Sequence, residues 1–210
     1  RIVRSGDVMA DAARIFGEQA EAQASGLLAA AGLQAMAAGD QPFVLATIHR
    51  AENTDDPARL EAILTALASV ATNGAGGSEP LPVLLPLHPR TQARIEAHQL
   101  QHLLKPLTLT PPLGFLAMVL LERRAALVVT DSGGVQKEAF LQGTPCVTVR
   151  SETEWVELLA CGWNRLAEPT DPAAMVTAMV QQLALDASQP RPPLYGDGHA
   201  AEAIAARLKP

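Results

Sequence analysis

Six short apolar runs, residues 43–48, 83–87, 106–110, 127–130, 146–149 and 164–167, are each separated from the next by one stretch with helical spacing. No other property narrows the fold as far. Two parallel strands need a crossover of roughly a dozen residues or more, and one helix per crossover returns the chain to the same edge with right-handed sense. Between the first two runs, Leu60, Ile63, Leu64 and Leu67 recur at helical spacing behind Asp56-Pro57, a good first turn. The expected fold class is therefore α/β, a doubly wound parallel sheet of Rossmann type with helices on both faces. Further helices are expected over residues 91–102, 114–124, 134–142, 155–161, 171–185 and 199–208, and one or two from Asp7 to about Met36. Residues 73–80 read as a flexible surface loop.

Composition fits this reading. With 210 residues, 48% of them hydrophobic, the chain can bury a large core. A net charge of −6 argues against a broad nucleic-acid or anionic-membrane surface while leaving room for a local basic pocket. No apolar run approaches the roughly 20 residues of a membrane span, no signal-peptide pattern opens the chain, and a cytoplasmic location is expected. Cys146 and Cys161 lack metal-ligand spacing and read as buried small hydrophobes. His98 and His102, at i and i+4 on an expected helix, read as solvated, so no metal is expected.

In a sheet of this kind ligands collect beyond the carboxyl ends of the strands. After the fourth run comes Asp131-Ser132-Gly133-Gly134-Val135-Gln136-Lys137-Glu138. Ser132 suits a helix cap, the two glycines let a ligand oxygen approach the backbone, and the first helical N–H groups suit a phosphate. Glu138 lies one turn in on the same face and can grip a vicinal diol such as a ribose. A plain connecting turn is the alternative for the motif alone. After the first run come His49 and Arg50. His49 is a loop histidine satisfied by its neighbours, or a group that exchanges a proton near neutral pH; Arg50 adds charge for a phosphate or pairs with Glu52. His88, after the second run, is a similar but weaker candidate, since His-Pro is also an ordinary turn. After the fifth run, Thr153 and Glu154 either cap a helix or hydrogen-bond a nucleotide.

Six segments now carry a family resemblance: residues 47–53, Leu87-His88-Pro89, 130–138, Gly143-Thr144-Pro145, 150–157 and Tyr195-Gly196-Asp197-Gly198. In order and spacing they resemble the carboxyl-terminal half of the non-hydrolysing UDP-N-acetylglucosamine 2-epimerases. That resemblance implies one half of a GT-B-type architecture with two Rossmann-like domains. Ser5-Gly6-Asp7 resembles the segment leading out of the first domain, and a chain opening Arg1-Ile2-Val3 without Met is expected to be a piece of a longer protein. The division expected is a helical linker or edge segment over 1–40, a UDP-binding domain over 41–190 and a closing helix over 191–210.

By the same resemblance, Ser132, Gly133 and Gly134 hold the UDP diphosphate, Glu138 holds the ribose, and His49 sits beside the diphosphate and the reacting sugar as the catalytic candidate. Arg50, His88 and Glu154 complete the substrate-binding set. The implied reaction inverts C2 by eliminating UDP and adding it back, in cell-surface polysaccharide biosynthesis, with no cofactor. The carboxylates that move the C2 proton in this family lie in its first domain, so this piece alone is expected to be inactive. Expected partners are the UDP-sugar, the amino-terminal domain of the same protein and, for the full-length protein, a second copy, with neither nucleic acid nor membrane. Two departures stand out. The family commonly has Glu-Glu where this chain has Lys137-Glu138, and Thr-Glu-Arg-Pro-Glu where it has Thr153-Glu154-Trp155-Val156-Glu157. The Thr-Glu-Trp and Gly-Trp-Asn patterns resemble a branch acting on UDP-2,3-diacetamido-2,3-dideoxyglucuronate. The donor-binding half of a GT-B glycosyltransferase and a non-catalytic nucleotide-sugar module are the alternatives.

Overall fold

A computed structural model describes residues 2–33, 41–76 and 79–208. Among the described residues, the amino-terminal helices α1 (Val8–Ala22) and α2 (Ala24–Ala30) precede β1 (Val44–Thr47), the short α3 (Ala51–Thr54) and α4 (Pro57–Asn73). Then follow β2 (Val83–Pro86), α5 (Pro89–Ala97), a 3-10 turn (Gln101–Leu104), β3 (Thr108–Thr110), α6 (Phe115–Arg124) and β4 (Leu127–Thr130). The chain continues through α7 (Gly133–Gln142), β5 (Cys146–Thr148), α8 (Val156–Ala160), β6 (Asn164–Leu166), α9 (Pro172–Leu183) and α10 (Ala200–Leu208). Expected helix at residues 34–36 and part of the 73–80 loop fall outside the described residues.

All six strands pair in parallel, in the order β3-β2-β1-β4-β5-β6. The central pair is in register from Val44 opposite Leu127 to Thr47 opposite Thr130. Side chains alternate across the sheet as a pleat requires. Val44, Ala46, Val83, Leu85, Leu127, Val129 and Val147 enter one core with α4 and α9. Leu45, Leu84, Val128 and Cys146 enter a second core with α1, α2 and α6. Burial on both faces is why these strands read as unbroken apolar runs.

Local signals set the helix ends. Asp56 accepts from Ala58 N (2.9 Å) ahead of Pro57, and Asp171 accepts from Ala174 N (3.0 Å) ahead of Pro172, each satisfying an amide that the helix leaves free. Asp11 of α1 does the same for a helix distant in sequence, its carboxylate accepting from Ala200 N (2.9 Å) and Ala201 N (2.7 Å).

One helix differs from expectation. The 91–102 stretch is broken after Ala97, where Gln99 takes φ +59° and donates to Glu96 O (3.1 Å) while Leu100 donates to Ile95 O (2.9 Å). This is a Schellman stop with glutamine in the position glycine usually holds. Burial of Leu100 against Ile95 offsets the roughly 1 kcal/mol cost of a left-handed non-glycine residue. His98 and His102 therefore do not share a helix.

Candidate functional site

Strand order reverses between β1 and β4, so the loops leaving their carboxyl ends open a crevice at the middle of the sheet, where doubly wound folds take ligands. One buried side chain shapes it. Asp131, fully buried at the end of β4, accepts from His49 N (3.1 Å to each oxygen), Arg50 N (2.9 Å) and Asn53 Nδ2 (3.2 Å). Asn53 also donates to Val149 O (3.1 Å), so Asp131 and Asn53 tie together the ends of β1, β4 and β5. The sequence signal for Asp131 is a carboxylate directly after a buried strand, which must find N–H donors to be buried there.

Beyond Asp131 the chain turns into α7. Ser132 caps it, its Oγ accepting from Val135 N at 3.5 Å, and its own N donates to Thr130 Oγ1 (2.9 Å). Gly133 and Gly134 are the first helical residues, whose amides have no carbonyl a turn behind them. A Cβ on Gly133 would collide with Glu154 Oε1 and lie 3.7 Å from Arg50 Nη2. Trp155 Nε1 donates to Gly133 O (2.8 Å), fixing the turn from behind.

Of the expected residues, His49, Arg50, Ser132, Gly133, Gly134 and Glu154 gather around this turn. His49 Nδ1 lies 3.8 Å from Asp131 Oδ1 with its ring half exposed, and Arg50 Nη1 is 4.0 Å from Glu52 Oε1. The Glu154 carboxyl is held below the usual range, first by its own backbone N–H and then by Arg150 and Arg50. Glu138 is half-buried on α7, and burial raises its carboxyl above the ordinary value. His88 stands one strand away and caps α5, Nδ1 accepting from Arg90 N (3.2 Å). Lys137 is buried between Trp155 (4.5 Å) and Tyr195 (4.3 Å) and paired with Asp7, so it is occupied in the fold. Cation–π contact and an ion pair together compensate a buried ammonium.

Sequence reasoning missed several contributors. Gln136 is fully buried, its Oε1 accepting from Thr153 Oγ1 (2.6 Å) and Asn164 Nδ2 (3.0 Å), which pins the 150–157 loop to α7. Arg150 is almost fully buried at the same rim, its Nη1 donating to Glu154 Oε2 (3.0 Å). The four-residue α3 was also unread, being too short to show a helical period. Among the described residues no three His, Cys, Asp or Glu side chains gather as a metal site requires, and no helix is long and apolar enough to cross a membrane.

The chain is 43% identical over 208 residues, 99% of its length, to a Pseudomonas aeruginosa protein named UDP-2,3-diacetamido-2,3-dideoxy-D-glucuronate 2-epimerase, of which it covers 52%. It is 31% identical over 175 residues to the Escherichia coli K12 UDP-N-acetylglucosamine 2-epimerase, covering 81% of this chain and 44% of that protein. It thus spans about half the length of the curated relatives it matches. Among solved structures, the Methanocaldococcus jannaschii UDP-GlcNAc 2-epimerase in complex with UDP-GlcNAc and UDP superposes with TM-score 0.81 at 28% identity, over 99% of this chain and 54% of that one. The family model for UDP-N-acetylglucosamine 2-epimerase matches residues 1–209, and with the sheet order and the switch-point turn both in place, the chain belongs to that family.

Proposed function

We propose that these 210 residues form the UDP-holding wall of a UDP-N-acetylhexosamine 2-epimerase acting in the cytoplasm. The observation that carries this reading is the first turn of α7, where two glycines without side chains start the helix beside Arg50 at the switch point and the face of Gly133 already accommodates a carboxylate. In this reading the amides of Gly133 and Gly134 and the Ser132 hydroxyl hold the diphosphate, Glu138 takes the ribose hydroxyls, and His49 and Arg50 face the bond to the sugar. His88 and Glu154 line the approach. Inversion at C2 proceeds by loss of the C2 proton and cleavage of the C1–O bond to UDP, giving a 1,2-unsaturated sugar. UDP then adds back and a proton returns on the opposite face. Donors fixed before the reaction stabilise the departing diphosphate without reorganising, and a dipole-aligned helix end is such a donor. No residue here is assigned to move the C2 proton; that group is proposed to come from an amino-terminal domain of the same protein.

For the sugar, UDP-N-acetylglucosamine and UDP-2,3-diacetamido-2,3-dideoxyglucuronate are the two substrates considered. The second is favoured by the 43% identity to the Pseudomonas relative. Calorimetry with UDP tests the wall, with weak binding expected. An NMR assay for C2 inversion and for solvent deuterium uptake, run with each UDP-sugar, is expected to show no turnover by the 210-residue chain. Turnover would place the proton shuttle within these residues.

A further inference from the structure

The phosphate turn is already occupied by an anion that belongs to the chain. The Glu154 carboxylate lies over the bare face of Gly133, where a Cβ would strike Oε1. It is held there by Arg150, Nη1 to Oε2 at 3.0 Å. Arg150 is only 8% exposed, yet its Nε has no hydrogen-bond partner and stands 3.7 Å from Glu52 Oε1. A buried guanidinium presents five donors in a rigid fork, and one left unmade in a desolvated place is costly. Glu154 is the opposite case: its side chain is 46% exposed, so it can leave for water at little cost. At the rim the two arginines, Arg50 and Arg150, are each within ion-pair distance of a glutamate, Glu52 or Glu154.

We propose that Arg150 is a further diphosphate ligand of this site and that Glu154 is its resident counter-ion, displaced when the diphosphate arrives. The inference rests on the reading of the turn as a phosphate site. A diphosphate brings more charge and more acceptor oxygens than a carboxylate, enough to take the second Arg150 donor and the Gly133 and Gly134 amides together. The carboxylate spares Arg150 from standing alone in the empty site and lowers affinity, because one anion must leave before another enters. Release after reaction is assisted by the same return of Glu154.

Calorimetric titration of the 210-residue chain with UDP, inorganic pyrophosphate and uridine tests this, with circular dichroism melts to confirm folding of each variant. Glu154→Gln keeps the shape and removes the charge. It should tighten both UDP and pyrophosphate about three- to tenfold, the scale of one partly exposed ion pair, and leave uridine unmoved. Arg150→Met should weaken both anions about tenfold or more, and in the double variant the Glu154→Gln gain should vanish. Should Arg150→Met fold poorly, Arg150→Lys keeps the buried charge without the fork, and weaker binding is expected again. Unchanged or weaker anion binding by Glu154→Gln overturns the exchange. Pyrophosphate behaving as stated while no variant binds UDP leaves the exchange standing and removes the nucleotide reading. Binding of neither anion by wild type or Glu154→Gln removes both.

Discussion

At Gly133 a side chain would lie in the same space as the Glu154 carboxylate and next to Arg50, so the hydrogen there is what leaves room for an anion at the first turn of α7. Its φ is not in the left-handed region, and an alanine at a first helical position costs the backbone nothing. Gly133→Ala is therefore expected to melt within a few degrees of wild type while losing about tenfold or more of its UDP affinity, measured by calorimetry beside thermal denaturation. Equal loss of fold and binding would show the glycine to be needed for structure. Glu122 tells a different story. It is buried at the end of α6 with Oε2 lacking a partner, and burial, then the charge of Glu138, raises its carboxyl well above the ordinary range. An acid whose folded-state value lies above its unfolded one leaves stability unaffected at low pH, where both states are protonated. It subtracts stability as pH climbs from the unfolded value upward. Glu122→Gln should thus match wild type below about pH 4 and exceed it by about 1–3 kcal/mol at neutral pH in urea titrations. A pH-independent difference would contradict that origin.

The elements meet at the switch point through Asp131, and this is where periodicity alone was weakest. Strand and helix positions follow from local pattern, since β1, β2, β4, β5 and the capped helices α4 and α9 all lie where alternating runs and Asp-Pro pairs place them. The 91–102 helix was misread because its stop is a glutamine whose left-handed backbone depends on Leu100 finding a buried site. Asp131→Ala removes the acceptor shared by the backbones of His49 and Arg50 and by Asn53, leaving buried donors unmatched. We expect about 2–4 kcal/mol lower stability in urea with an unchanged slope, together with lost UDP binding, since the β1 loop loses its anchor. Stability kept and binding lost would instead place Asp131 among the ligand contacts.

Across the whole molecule, the sheet centre is reachable only by unfolding. Cys146 lies on β5 at 1% exposure, and burial pushes its thiol up to about 12, while Cys161 is half-buried at the end of α8. Under native conditions a thiol reagent followed by mass spectrometry should modify Cys161 first and Cys146 about 10³-fold or more slowly, at a rate that rises with urea. Equal rates would mean that the sheet opens locally at β5. What the sequence determined by itself was the class of fold, the position of the long elements and the Ser-Gly-Gly turn into α7, because these depend on spacing and on residues whose conformational preferences act locally. What only the tertiary structure decided was which distant charges meet. That Glu154 and Arg50 reach across to Gly133, that Lys137 is held by Trp155, Tyr195 and Asp7, and that Asp131 turns inward to the β1 loop are consequences of strand order. Side chains from separate crossovers become neighbours only after the sheet is assembled, and no local preference carries that information.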